Sequence, residues 1–164
     1  MDFDRYREEV AANRRKHGFD VVDEGMAGFV RIWRAHEEDP TVGSVSVFAT
    51  LVDATGDVSA VVDATDGVSG VVAATDRFRE SVADLSDATS SATPIGYVAF
   101  AVDSADDDLV SAATSYTVAE RRTNVFPLVY DLESGTLHTH SVPRLKGRGI
   151  YRRQREDATR LFDV

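Results

Sequence analysis

His138 and His140 stand two residues apart on what reads as the return arm of a β-hairpin, with Asp131 and Glu133 close by across the turn. Two imidazoles at i and i+2 on one strand share a face. With a carboxylate they would supply three ligands to a divalent metal and leave positions open for water. His138, His140 and Asp131 are therefore the candidate metal ligands, and the chemistry they would support is that of a small metal-dependent hydrolase or nuclease. Each imidazole would also need an acceptor for its second nitrogen. Asp131 and Glu133 sit where turn residues belong, so a solvated hairpin face is the competing expectation.

A second constellation is electrostatic. Arg144, Lys146, Arg148, Arg152, Arg153 and Arg155 bring six positive charges and no acid to residues 144–155, whereas residues 37–108 hold 15 acids and 2 Arg. Guanidinium forks bind carboxylates and phosphates in two-pronged fashion, and Gly147 and Gly149 would let a backbone approach closely. These six residues are the candidate binding residues. Pairing with the chain's own aspartates or with an acidic partner is favoured over nucleic-acid binding, which stays as an alternative. A third cluster, Glu120-Arg121-Arg122, reads as an extended segment whose charges pair across strands. No phosphate-cradling glycine loop, dinucleotide fingerprint, nucleophile elbow or zincin helix is present.

The elements that must carry these residues follow from periodicity. Phe3, Tyr6, Val10, Asn13 and His17 recur at helical spacing, and Gly18 stops the helix. Phe19–Val22 and Gly28–Ala35 read as strands around a reversal at Asp23-Glu24-Gly25, with Trp33 packed on the sheet and its indole N–H finding an acceptor. His36 would open a charged loop ending at Pro40. Residues 44–53 alternate as a third strand. A degenerate repeat of period ten follows; it predicts a helix over 68–87, with Arg77, Arg79, Glu80 and Asp84 on its charged side, and leaves 57–66 open between helix and strand.

Ile95–Val102 is the most apolar run and reads as a central strand. Ser104 would cap a helix running through Leu109 and Val110, its aspartates Asp106–Asp108 complementing the helix dipole. Val125–Val142 reads as the hairpin, turning at Glu133-Ser134-Gly135-Thr136. Ile150, Gln154, Ala158 and Leu161 trace one face of a terminal helix whose Arg152, Arg153, Arg155 and Arg160 lie outside that face.

Composition bounds the rest. At 164 residues and 43% hydrophobic the chain suffices for a single globular domain, residues 1–164, with one core. It has no cysteine, which excludes disulfides and thiolate metal sites. The net charge is −10, with 19 Asp against 9 Glu and only 2 Lys beside 16 Arg. Abundant short carboxylates with few lysines match proteins from salt-in halophiles; an acidic protein from a GC-rich genome is the alternative. At molar salt the Debye length is about 3 Å, so self-repulsion is screened. Acidity then reports on solvent more than on a cationic partner. MDFDRYREEV lacks an apolar targeting core and no run is long enough for a membrane span, so a cytoplasmic protein without membrane contact is expected.

The expected fold is α+β: a mainly antiparallel sheet of about six strands covered by N-terminal, middle and C-terminal helices. The expected function is a non-enzymatic binding or regulatory module that self-associates or binds a protein partner through its Arg-rich C-terminal region. No cofactor is expected unless a divalent metal binds at His138 and His140.

Overall fold

In a computed structural model of the chain, which describes residues 1–24, 29, 31–56, 67–86 and 91–164, the elements run α1 (Phe3–Lys16), β1 (Asp20–Glu24), β2 (Arg31–Asp39), β3 (Gly43–Asp53), α2 (Gly67–Leu85), β4 (Thr93–Val102), α3 (Asp107–Thr114), β5 (Ala119–Glu120), β6 (Thr123–Asp131), β7 (Thr136–His138) and α4 (Arg148–Phe162). The strands form one seven-stranded sheet in the order β1-β2-β3-β4-β6-β5, with β7 also on β6. The class is α+β, but the sheet is mixed. The outer pairs β1–β2, β2–β3, β5–β6 and β6–β7 are antiparallel, while β3–β4 and β4–β6 at the centre are parallel.

The parallel centre explains the layering. The crossovers β3-α2-β4 and β4-α3-β6 advance the same way across the sheet, and the uniform hand of such crossovers puts both helices on one face. Val71, Ala74, Phe78 and Val82 of α2 and Leu109 and Ala113 of α3 accordingly pack with Phe48, Val98, Phe100 and Val129. The terminal helices take the other face, where Tyr6 and Val10 of α1 and Ala158, Leu161 and Phe162 of α4 pack with Val47, Tyr97, Phe126 and Tyr130. Tyr6 stacks on Tyr130 at 4.0 Å, and its hydroxyl donates to the Phe162 carbonyl. β4 and β6 are apolar on both faces because both faces are covered.

Local chemistry fixes the junctions. Asp39 accepts hydrogen bonds from the Thr41 and Val42 amides, and Gly43 takes φ 92° to close a three-residue hairpin. β2 therefore extends through His36 to Asp39, where a loop was expected. Gly96 lets α2 lie close on β4, since a Cβ there would stand 2.9 Å from the Phe78 ring. Pro127 is tolerated within β6 because its missing donor faces the gap between β5 and β7. The Val125 amide, on the same side of the strand, donates outward to Val118.

Several boundaries differ from expectation. The α3 cap is Asp106, whose carboxylate accepts from the Leu109 amide at 2.7 Å, and not Ser104. Arg121 and Arg122 form the tip of the β5–β6 hairpin with φ of 49° and 62°, not an extended segment. Asp23 and Glu24 belong to β1. The rest of the expected reversal, residues 57–66 and the last predicted position of α2 lie outside the described residues. Trp33 packs on the sheet under Arg14, but its indole nitrogen has no hydrogen-bond partner among the described residues.

Candidate binding surface and the charges beneath it

Helix α4 opens at Gly147, which takes a left-handed φ of 74° and has no side chain to cap the first amides. Gly149 lets the helix meet the β2–β3 turn, for a Cβ there would lie 2.9 Å from the Thr41 methyl. The helix buries Gln154, Ala158, Leu161 and Phe162, as its apolar spacing requires. It also buries Arg153 and Asp157.

These two belong to a closed ionic network. Arg153 donates Nε to Asp157 Oδ2 at 2.8 Å and Nη2 to Glu37 Oε1 at 2.5 Å, with Nη1 3.5 Å from Asp39 Oδ2. Arg160 donates to both oxygens of Glu37 and approaches Asp157 Oδ1 to 2.8 Å. The Tyr97 hydroxyl completes the set by donating to Asp157 Oδ2 at 2.7 Å. The Arg160 hydrogen bond, working against burial, holds the Glu37 carboxyl below its ordinary range. Burial alone would lower Arg153, but Asp157 outweighs it and the guanidinium is held above its usual value. Arg153 and Arg160 therefore lock α4 onto the β2–β3 hairpin, whereas the sequence placed them on the helix exterior.

The other five members of the cationic cluster behave differently. Arg144, Lys146, Arg148, Arg152 and Arg155 are exposed, and none forms an ion pair among the described residues. Leu145, between Arg144 and Lys146, is 87% exposed, the most open of the large apolar side chains among the described residues. The structure thus removes Arg153 from the surface and adds an apolar residue to it.

The candidate metal ligands are not brought together. β7 ends at His138, which pairs with Val129, a residue of the α2 side of the sheet. Beyond it the alternation lapses, and His140 packs edge-on against Phe126 on the opposite side. The two imidazoles lie on different faces. Asp131 turns inward, accepting from the Ala105 amide at 2.9 Å and the Ser134 amide at 2.8 Å, and these bonds hold its carboxyl below the ordinary range. Among the described residues, no three His, Asp or Glu side chains converge on a metal-sized site.

No protein family, curated protein or solved structure matches the chain.

His140 is a structural anchor for the segment that presents the cations. Its backbone amide donates to Gln154 Oε1 at 2.8 Å, and Gln154 Nε2 donates back to its carbonyl. Its Nε2 lies 3.2 Å from the Tyr116 carbonyl, which only accepts, so the ring proton is on Nε2 and Nδ1 is left without a partner among the described residues. Burial lowers the His140 pKa from its ordinary 6.5, partly opposed by the Tyr116 hydrogen bond. A depressed histidine contributes stability that is present above the unfolded value and lost as pH falls through the folded one. The melting temperature accordingly drops as pH is lowered from about 6.5, and His140→Gln flattens that decline. Parallel profiles for the two proteins would place the pH sensitivity elsewhere.

Sequence reasoning also missed Arg79. It lies 4% exposed on α2, with a guanidinium that donates to the carbonyls of Thr117, Val118, Glu120 and Thr123 and to the Thr123 hydroxyl. It stands over the Tyr116 ring and has no carboxylate partner among the described residues.

Proposed function

We propose that this chain is a non-enzymatic binding or regulatory module whose contact surface is the segment carrying Arg144, Leu145, Lys146, Arg148, Arg152 and Arg155. The supporting observation is five exposed cations, without an ion pair among the described residues, around an exposed leucine in a chain of net charge −10. Exposed cations in so acidic a protein would ordinarily be drawn to its own carboxylates, as Arg153 and Arg160 are. A partner fitting this surface offers carboxylates for the guanidinium forks and an apolar recess for Leu145. A second copy of the chain is the first candidate, because it brings the acidic surface with it. In a two-fold pair each cationic segment meets carboxylates of the other copy.

We read the module as cytoplasmic and adapted to molar salt, on the strength of 19 Asp against 2 Lys. Under that solvent bare charge attraction is screened within about 3 Å. Contact then depends on close guanidinium–carboxylate geometry and on burial of Leu145. Nucleic-acid binding draws less support, because counterion release loses its drive at such salt. Sedimentation velocity over a concentration series in molar KCl tests the reading. Self-association is expected; a monomer that also retains no protein in a pull-down would count against it.

A further inference from the structure

Among the described residues, the face of the sheet that receives α2 is not covered to its end. On β2, Arg34, His36 and Glu38 alternate toward that face, opposite in register to Phe48, Ser46 and Ser44 of β3, and Phe48 belongs to the α2-side core. Helix α2 stops at Leu85, so this polar stretch of sheet floor continues past the helix end. A cleft of about 370 Å³ lies there, walled by Phe48, Leu85 and Pro94 and lined on its polar side by Arg34, His36 and Ser46. That volume falls at the low end of the roughly 300–1,000 Å³ typical of small-molecule sites.

The polar groups are arranged rather than scattered. Ser46 is 6% exposed, and its hydroxyl lies 2.8 Å from His36 Nδ1, which sets the orientation of the imidazole. Arg34 forms no ion pair among the described residues, although Asp20 stands opposite it in register on β1. An unpaired fork beside a fixed imidazole, facing an apolar wall, is complementary to an anion with an apolar body. The C-terminal end of α2 at Leu85 and Ser86 adds partial negative charge to the same cleft, which penalises a phosphate dianion more than a single carboxylate.

We propose that this cleft binds a small organic carboxylate, with the carboxylate on Arg34 and His36 and the apolar body against Phe48, Leu85 and Pro94. The site is independent of the cationic segment that leads into α4. The test is a titration of the full chain with phenylacetate, followed by ¹H–¹⁵N NMR. Saturable shifts centred on the amides of Ser46 and Phe48 are expected, with binding at least tenfold weaker in Arg34→Gln. The neutral analogue 2-phenylethanol should also bind at least tenfold more weakly to the wild type. Absence of saturable shifts, equal affinity in Arg34→Gln, or equal affinity for the alcohol would each overturn the proposal.

Discussion

Replacing Asp157 by alanine lowers the unfolding free energy by about 3–5 kcal/mol, the range for removing one partner from a buried ion pair. Asp157 is 1% exposed, accepts from Arg153 and Tyr97, and is ion-paired with Arg160. Its loss leaves guanidinium charge and a phenolic hydroxyl buried with fewer acceptors. For a domain of this size the melting temperature should fall by about 10 °C. The double variant Arg153→Met/Asp157→Leu, which keeps volume, should recover part of that loss, because two desolvation penalties disappear together while Glu37 keeps Arg160 and the Tyr97 hydroxyl still lacks its acceptor. Urea unfolding of the three proteins measures this. A loss under about 1 kcal/mol for Asp157→Ala would mean the network is wet and contributes little to docking α4.

The second large effect is at Arg79. Substituting methionine keeps the apolar stem but withdraws a planar fork from the carbonyls of Thr117, Val118, Glu120 and Thr123. Val118 keeps the Val125 amide and Glu120 the Thr123 hydroxyl, but the charge-assisted bonds from the fork are lost at about 1.5–3 kcal/mol each, with strong non-additivity, so a net loss of about 3 kcal/mol is expected. Lysine should not rescue it, since a compact ammonium cannot span acceptors spaced for a fork. Amide exchange adds a local readout: the Val125 amide, bonded to Val118, should lose protection before the β3–β4 core does. Uniform loss across the sheet, or full rescue by lysine, would contradict a role in pinning residues 117–123 to α2.

Much of this architecture was legible because it is local. The α1 stripe, the apolar β4, the turn at Ser134-Gly135 and the apolar line of α4 all follow from spacing and turn chemistry. The parallel centre was not, because strand order depends on crossovers that no short window contains. Arg79, Arg153 and Arg160 were misplaced by one shared assumption, that arginine marks the solvent side of a helix. A signal did exist for two of them: Arg153, Asp157 and Arg160 recur at i, i+4 and i+7 beside the apolar line, the spacing of mutually reachable charges. Nothing comparable marked Arg79, whose acceptors are backbone carbonyls some forty residues away. His140 was assigned to the wrong face because strict alternation was extended past the true end of β7.

The consequence for the candidate site is a division of labour within one basic stretch. Arg153 holds the helix in place, and its exposed neighbours remain available to a partner. Sedimentation equilibrium in molar KCl of the wild type beside the exposed-site variant Arg144→Glu/Leu145→Ser/Lys146→Glu separates the two roles. The wild type should self-associate and the variant should do so at least tenfold more weakly, with an unchanged melting temperature. Equal association of the two proteins, or a monomeric wild type at every concentration, would contradict the claim that this surface is where the chain meets another copy.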